Sequence, residues 1–170
     1  ARVGRMNLSP EENWITRRLS DRFYLESEKM WEIYSAAYGR EFRRLFGETH
    51  FDTIIDFEGY SLYWTSLFAN EPSRRSRKAI YLHADMEEEC HVRFPYLRYI
   101  LAQYRGFDAL VSVSDSVCQK NRETLGPLYG LPAEKFVHCN NSIHHAKVRE
   151  LAREPVCIPG EKHGNPGGAT

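Results

Sequence analysis

The sequence lacks several features that would assign a chain to a functional class at once. It contains no apolar run of the roughly 18 residues that a transmembrane helix needs, and its N-terminus has no apolar core of a signal peptide. Neither sign of charge is in excess, because 23 Lys and Arg residues balance 23 Asp and Glu residues. Proteins that coat nucleic acid usually carry a basic surplus. We therefore expect no nucleic-acid partner and a cytoplasmic location.

Cysteine is scarce and never occurs as a C-x-x-C pair. The four cysteines are Cys90, Cys118, Cys139 and Cys157. Two of them have a histidine neighbour, but their spacing is not the close paired spacing of structural zinc sites. We therefore predict reduced thiols and no structural metal site.

Three nucleotide-binding or catalytic motifs are also missing. The sequence has no G-x-G-x-x-G, which excludes the usual dinucleotide-binding fingerprint. It has no G-x-x-x-x-G-K-[ST], which excludes a P-loop NTPase. It has no G-x-S-x-G, so the nucleophile of an α/β-hydrolase is not expected.

The sequence does contain enough apolar residues for one folded core. Of its 170 residues, 42% are hydrophobic and 13% aromatic, too many for a disordered chain. Ser9, Pro10 and Glu12 have the pattern of a capping box at a helix start. Apolar residues at helical spacing then predict a helix over 27–46, which Gly47 ends. We assign residues 1–50 to an N-terminal helical segment.

After residue 50, short apolar strands alternate with helices. Strands are predicted at 51–57, 78–83, 107–113 and 136–139, and helices at 61–69, 95–106, 116–125 and 144–153. Residues 86–91 are predicted to form a short helix or a loop. This alternation is typical of βαβ units in a parallel sheet with helices on both faces. We predict the α/β class, with a Rossmann-like, doubly wound parallel sheet over 51–154. Residues 155–170 are rich in Gly and Pro and are predicted to be a linker.

Ligands of open α/β sheets bind beyond the carboxyl ends of the strands. Polar or turn-forming residues follow the predicted strands there: Glu58, Gly59 and Tyr60, then His83 and Asp85, then Ser114 and Ser116, and last Asn141. Each also has a structural interpretation, because a glycine makes tight turns and a serine at a helix start caps the helix. The same serines suit a phosphate site at a helix N-terminus, and a histidine at a strand end is either structural or functional. The convergence of the four sets is the stronger signal.

Two charged runs flank the second predicted strand. Residues 72–78 carry three arginines and one lysine, which form a solvated loop or attract an anionic partner such as a phosphate or a membrane surface. Residues 85–89 carry four carboxylates. They are typical of the first turn of a helix, and they also resemble a metal-binding carboxylate pair.

Four stretches of the sequence, in order, resemble a known family: FDTIIDFEGYSLYW, KAIYLHADMEEE, FDALVSVSDSVCQKN and KFVHCNNSIH. They are similar to the acceptor-side N-terminal domain of GT-B glycosyltransferases. The resemblance is greatest to bacterial enzymes that join glycosyl transfer with CDP-glycerol glycerophosphotransferase-type cell-wall chemistry. It covers about residues 51–148, over half the chain, and depends on the order and spacing of all four stretches.

The first two stretches imply roles for residues that follow the first two strands. Gly59 and Tyr60 match a glycine-containing turn that faces the acceptor in these enzymes. His83 and Asp85 match the ends of an H-N-D-like segment near the donor sugar, with Ala84 in the middle. The resemblance makes His83 the candidate catalytic residue, and Glu58, Gly59, Tyr60 and Asp85 candidate substrate-binding residues.

The last two stretches imply further substrate-binding residues. Ser114 and Ser116 match a V-S-x-S segment that leads into a helix. Asn141 matches the asparagine of an N-G-I-D-like segment at the interdomain hinge. Ser142 and His144 depart from that segment, where the family has Gly and Asp.

The resemblance implies transfer of a sugar, or of glycerol phosphate, from a nucleotide-activated donor to a cell-surface glycan or a teichoic-acid-like acceptor. The protein would work at the inner face of the membrane, with the nucleotide-sugar as co-substrate and no metal or other cofactor. Catalysis would depend on positioning and on electrostatic stabilisation of the leaving phosphates. The family's first strand, with its Gly-rich loop, and its nucleotide-binding C-terminal domain have no match here. The chain is therefore expected to be a fragment that is inactive by itself.

Two alternatives stay open at this point. A GT-A-type transferase would hold a divalent metal ion on Asp85 and Glu87. A non-catalytic α/β module would bind a phosphorylated ligand or a protein partner at the same strand ends.

Overall fold

The computed structural model describes residues 8–12, 28–73 and 75–154. The chain divides into two compact units, the first up to Asn140 and the second from Asn141 on. The first unit contains the strands and most described helices: α1 (Glu28–Phe46), β1 (Thr53–Asp56), α2 (Leu62–Ala69), β2 (Arg77–Leu82), α3 (Met86–Val92), α4 (Leu97–Leu101), β3 (Ala109–Ser112), α5 (Asp115–Tyr129) and β4 (Phe136–His138). The second unit contains α6 (His145–Leu151). The predicted linker and Cys157 lie outside the described residues.

The N-terminal helical signals are confirmed where the structure describes them. The Ser9 backbone N–H donates to Glu12 Oε2 at 2.7 Å, and the Glu12 N–H donates to Ser9 Oγ at 3.2 Å. This reciprocal pair is the predicted capping box. α1 begins within one residue of its predicted start and ends at Phe46. Gly47 follows with a φ of +61° and donates its N–H to Arg43 O at 2.8 Å.

The four strands form one parallel sheet in the order β1-β2-β3-β4. Helices connect successive strands, as a parallel pairing requires. The structure thus confirms the predicted α/β class, with an all-parallel sheet flanked by helices in a Rossmann-like arrangement. In register, Ile55 lies opposite Ala79, and Leu82 lies opposite Ser112.

The main core lies between one face of the sheet and the helices that connect the strands. Ile80 and Leu82 of β2 and Leu110 of β3 are fully buried there. They pack with side chains from α3 to α5 and the turns around them: Met86, Leu97, Ile100, Leu101, Tyr104, Phe107, Cys118 and Leu125. Each fully buried aliphatic side chain contributes about 1.5–3 kcal/mol, so the burial of this layer stabilises the first unit.

A second core cluster joins α1 to the edge of the sheet. Tyr38 and Phe42 of α1 pack with Ile54 of β1 and Leu67 of α2. Phe42 and Phe51 meet edge to face, with ring centroids 6.2 Å apart. The apolar face of α1 is therefore packed against α2 and the residues around β1.

The opposite face of the sheet is less covered. Ile55, Phe57 and Val137 are 54%, 60% and 42% exposed, whereas Ile54 and Ile80, on the helix-covered face, are 7% and 0% exposed. We call this surface the open face. Parallel sheets usually have both faces covered. The exposure of apolar side chains on the open face is therefore unusual for this class of sheet.

Two predicted helices differ from the observed ones. The helix predicted at 95–106 is split into α4 and a 3₁₀ turn at Tyr104–Gly106. A period of three residues places Tyr104 and Phe107, both buried, on the same side of the chain. The helix predicted to end at residue 125 continues through Pro127 to Tyr129. It ends at Gly130, where the Leu131 N–H donates to Gly126 O at 2.9 Å.

The remaining sequence expectations concern thiols and membrane spans. Cys90, Cys118 and Cys139 are free thiols. None of the helices in the described part of the chain is long and apolar enough to cross a membrane.

Candidate functional site

The carboxyl ends of β1, β2 and β3 lie side by side because these strands are paired in register. The structure thereby brings most of the predicted site residues to one edge of the sheet: Glu58, Gly59, Tyr60, His83, Asp85, Ser114 and Ser116. We call this set the carboxyl edge. Asn141, which was predicted with them, belongs to the second unit.

The imidazole of His83 is fixed by a hydrogen bond across the sheet. Its Nε2 lies 2.6 Å from Phe57 O, in the segment that follows β1. A carbonyl oxygen only accepts, so Nε2 carries a proton, and Nδ1 has the lone pair when the ring is neutral. No described residue is bonded to Nδ1. His83 is thus anchored through one nitrogen, and the other can interact with a ligand.

Two aromatic rings surround that imidazole on the open face. The Phe57 ring meets it edge to face at 5.2 Å between centroids, and the Tyr81 ring stacks on it at 6.3 Å. The pKa of Tyr81 is raised, mainly by a hydrogen bond with Cys139 and also by burial. The phenol is therefore protonated at neutral pH. The rings of Phe57 and Tyr81 together restrict the orientation of His83.

Gly59 is required by the packing of the sheet itself. Its φ is +69°, and a Cβ at this position would lie 2.6 Å from Tyr81 O. Asp56, a buried carboxylate that the sequence analysis did not single out, accepts the Gly59 N–H at 3.0 Å. It also accepts the hydroxyl of Thr65. The turn after β1 is therefore held by the protein's own groups, and a tight turn accounts for this glycine without a ligand.

Asp85 and Ser114 cap the helices that follow β2 and β3, α3 and α5. Asp85 Oδ1 accepts the Glu88 N–H at 3.1 Å, and Ser114 Oγ accepts the Val117 N–H at 3.3 Å. Ser116 is exposed, and its Oγ lies 3.1 Å from Ser114 Oγ. The structural interpretation accounts for both capping residues, while the Ser116 hydroxyl is the more accessible of the two serine groups.

Three of the four carboxylates of the acidic run lie near basic side chains, and Glu89 Oε1 is 3.1 Å from an Arg93 guanidinium nitrogen. Asp85 Oδ2 lies 3.9 Å from Lys120 Nζ, and Glu87 Oε1 lies 3.0 Å from His91 Nδ1. Within the described ranges, no three His, Cys, Asp or Glu side chains are grouped so that they could hold a metal ion. The observed pairs favour the helix-start interpretation of this run.

Asn121 connects three elements beneath the carboxyl edge, and sequence reasoning missed it. It is fully buried in α5. Its Oδ1 accepts the Met86 N–H at 3.0 Å, and its Nδ2 donates to Ala84 O at 3.0 Å. Nδ2 also lies 3.5 Å from Ser112 Oγ. Asn121 thereby holds the short turn from His83 into α3.

A small cleft opens beside this turn. It has a volume of about 220 Å³ and is lined by Ala84, Asp85 and Arg93, with further side chains of α3. Ligand pockets are usually about 300–1,000 Å³, so the cleft suits only part of a substrate. Burial raises the pKa of the nearby Tyr60, whose ring meets Phe94 edge to face at 6.2 Å. Glu58 is exposed.

Comparison with known proteins gives no assignment, since no family model matches the chain and no curated protein is significantly similar to it. Function must therefore be argued from the carboxyl edge. That edge presents one oriented imidazole, exposed hydroxyl and carboxylate groups, and a small cleft. Such a set can hydrogen-bond a polyhydroxylated ligand and accept a proton from one of its hydroxyl groups.

Proposed function

We propose that the chain forms the acceptor-side lobe of a GT-B glycosyltransferase. The enzyme transfers a sugar, or glycerol phosphate, from a nucleotide-activated donor to a cell-surface glycan or a teichoic-acid-like acceptor. The observation that carries the proposal is the orientation of His83, whose Nε2 is bonded to Phe57 O at 2.6 Å. The parallel α/β sheet supports it, because such sheets bind ligands beyond their carboxyl ends.

In this proposal, His83 acts on a substrate hydroxyl through Nδ1. That nitrogen hydrogen-bonds a hydroxyl of the donor sugar, or takes the proton of the acceptor hydroxyl as its oxygen attacks the donor. The hydroxyls of Ser114, Ser116 and Tyr60 hold the sugar, and Asp85 helps to orient it. The leaving phosphates are stabilised by a second, donor-binding lobe.

The test separates the two nitrogens of His83. A glutamine side chain places an amide N–H near the position of Nε2, so His83→Gln keeps a donor for Phe57 O and removes the basic Nδ1. We expect kcat to fall by about 10²–10⁴-fold in His83→Gln. Turnover is measured with a panel of radiolabelled nucleotide-activated donors, using the protein at its natural length. His138→Gln is the matched control, because His138 is also a histidine at the carboxyl end of a strand, β4. Its Nδ1 lies 3.5 Å from Asp115 Oδ1.

The outcomes distinguish catalysis from structure. A wild-type rate in His83→Gln would return His83 to a structural role. The same conclusion would follow if His83→Gln lost as much thermal stability as His83→Ala. An equal loss of rate in His138→Gln would show that the edge as a whole, rather than Nδ1, is sensitive. Binding of a phosphorylated ligand without turnover of any donor by the wild-type protein would favour the non-catalytic α/β module.

A further inference from the structure

A groove runs along the end of the sheet opposite to the carboxyl edge. Two clefts of about 320 and 470 Å³ lie between α1 and residues 69–78, the segment that leads into β2. Both have Arg43 and Glu71 in their walls, so the two clefts are adjacent. We call them together the basic groove. Their combined volume exceeds that of the cleft beside Asp85.

Cationic side chains outnumber anionic ones along the basic groove: Arg40, Arg43, Arg75 and Lys78 against Glu48 and Glu71. Arg43 and Arg75 are exposed and make no ion pair with any described residue. His50 also lines the groove, and its Nε2 lies 3.8 Å from Asp52 Oδ1. Two exposed guanidinium groups in one concave site, without an ion pair in the described part of the chain, favour an anionic ligand.

The other charges of the groove are already satisfied in part by the protein. Glu71 is only 6% exposed, and its Oε1 accepts the Ser73 N–H at 2.7 Å. Lys78 Nζ donates to Ala69 O at 3.1 Å. The Arg40 guanidinium lies 2.6 Å from Glu12 Oε2. The buried carboxylate is therefore the less available charge, while the two exposed guanidinium groups face solvent.

We propose that the basic groove binds phosphate groups. A guanidinium presents parallel N–H donors that match two phosphate oxygens, which makes arginine the preferred residue for such anions. The volume of the larger cleft suits a ligand at least as large as a diphosphate. The phosphate belongs either to a soluble phosphate ester or to the headgroup of an anionic lipid. This site is distinct from the carboxyl edge, and the proposal does not rest on the proposed transferase activity.

The experiment titrates the isotope-labelled chain with inorganic pyrophosphate and follows amide shifts by NMR at low salt. We expect saturable shifts at Arg43, Thr49 and Ser73. Arg43→Gln and Arg75→Gln should each weaken binding about tenfold. Arg98→Gln is the matched control, because Arg98 is exposed and its guanidinium lies over the Tyr99 ring, outside the groove. Co-sedimentation with phosphatidylglycerol vesicles, compared with phosphatidylcholine vesicles, tests the lipid source.

Each outcome decides the proposal. Saturable pyrophosphate binding that is about tenfold weaker in each of the two groove variants supports a soluble phosphate ester as ligand. Co-sedimentation with anionic vesicles alone, lost in the same variants, supports a lipid headgroup. The proposal is overturned if neither probe binds at concentrations up to about 10 mM, or if Arg98→Gln weakens binding as much as the groove variants do. Circular dichroism of each variant confirms that the fold is retained.

Discussion

Replacement of Gly59 by alanine should destabilise the first unit much more than the same replacement at Gly130. Both glycines have a left-handed backbone, with φ of +69° and +61°, so each replacement incurs about 1 kcal/mol of conformational cost. A Cβ at residue 59 would also lie 2.6 Å from Tyr81 O, whereas one at residue 130 meets nothing within 4 Å. Tyr81 cannot shift freely, because β2 is paired on both sides. The clash therefore adds about 2 kcal/mol.

Thermal unfolding followed by far-UV circular dichroism measures both variants, with Gly47→Ala as a second control of the same backbone conformation and open surroundings. A loss of 1 kcal/mol lowers the Tm of a domain of this size by about 2–4 °C. We therefore expect a fall of about 2–4 °C for Gly130→Ala and about 6–12 °C for Gly59→Ala. Equal losses at both positions would refute the argument that contact with β2 requires this glycine. A ligand role for Gly59 would instead predict loss of binding in a protein of nearly normal stability.

Two further predictions concern buried polar groups. Asn121→Ala leaves the Met86 N–H and Ala84 O without their partner, so the free energy of unfolding should fall by about 3 kcal/mol; a fall below about 1 kcal/mol would show that water replaces the amide. Hydrogen bonds from Arg44 and Tyr63 lower the pKa of the Glu41 carboxyl, so its contribution is present above the unfolded pKa and is lost as pH falls through the folded pKa. The stability difference between wild type and Glu41→Gln should therefore shrink between about pH 6 and pH 3, and a difference that stays constant would contradict the assignment.

Sequence patterns predicted the elements where the signal itself is local. Ser9 and Glu12 exchange hydrogen bonds over a separation of three residues, and Gly47 ends α1 by its own backbone conformation. The strands were recognised because short apolar runs alternate with helices. The end of α5 was misplaced, because Gly126 and Pro127 are a local stop signal that the tertiary anchor at Leu131 overrides.

The supports of the candidate site were harder to find because their partners are distant in the sequence. Asn121 bonds to residues 35 and 37 positions away, and nothing in its neighbourhood in the sequence marks it. Asp56 could be noticed as a carboxylate at the end of an apolar strand, but its acceptor role depends on how the chain turns at Gly59. Convergence of His83 and Ser114 was predictable, since parallel strands bring their carboxyl ends to one edge. The hydrogen bond between His83 Nε2 and Phe57 O could not be predicted from the sequence, because it depends on the register between β1 and β2.

The order of the strands bears on how the protein folds during synthesis. Each strand pairs with the one that precedes it along the chain, so no strand has to be inserted between two that are already joined. Translation delivers roughly 5–20 residues per second, which is slow compared with the closure of loops between neighbouring strands. β1 and β2 can therefore pair before β4 has left the ribosome, and the newest strand is always the growing edge. Until its successor arrives, that edge exposes unpaired backbone groups, which makes it the surface that a chaperone would need to shield.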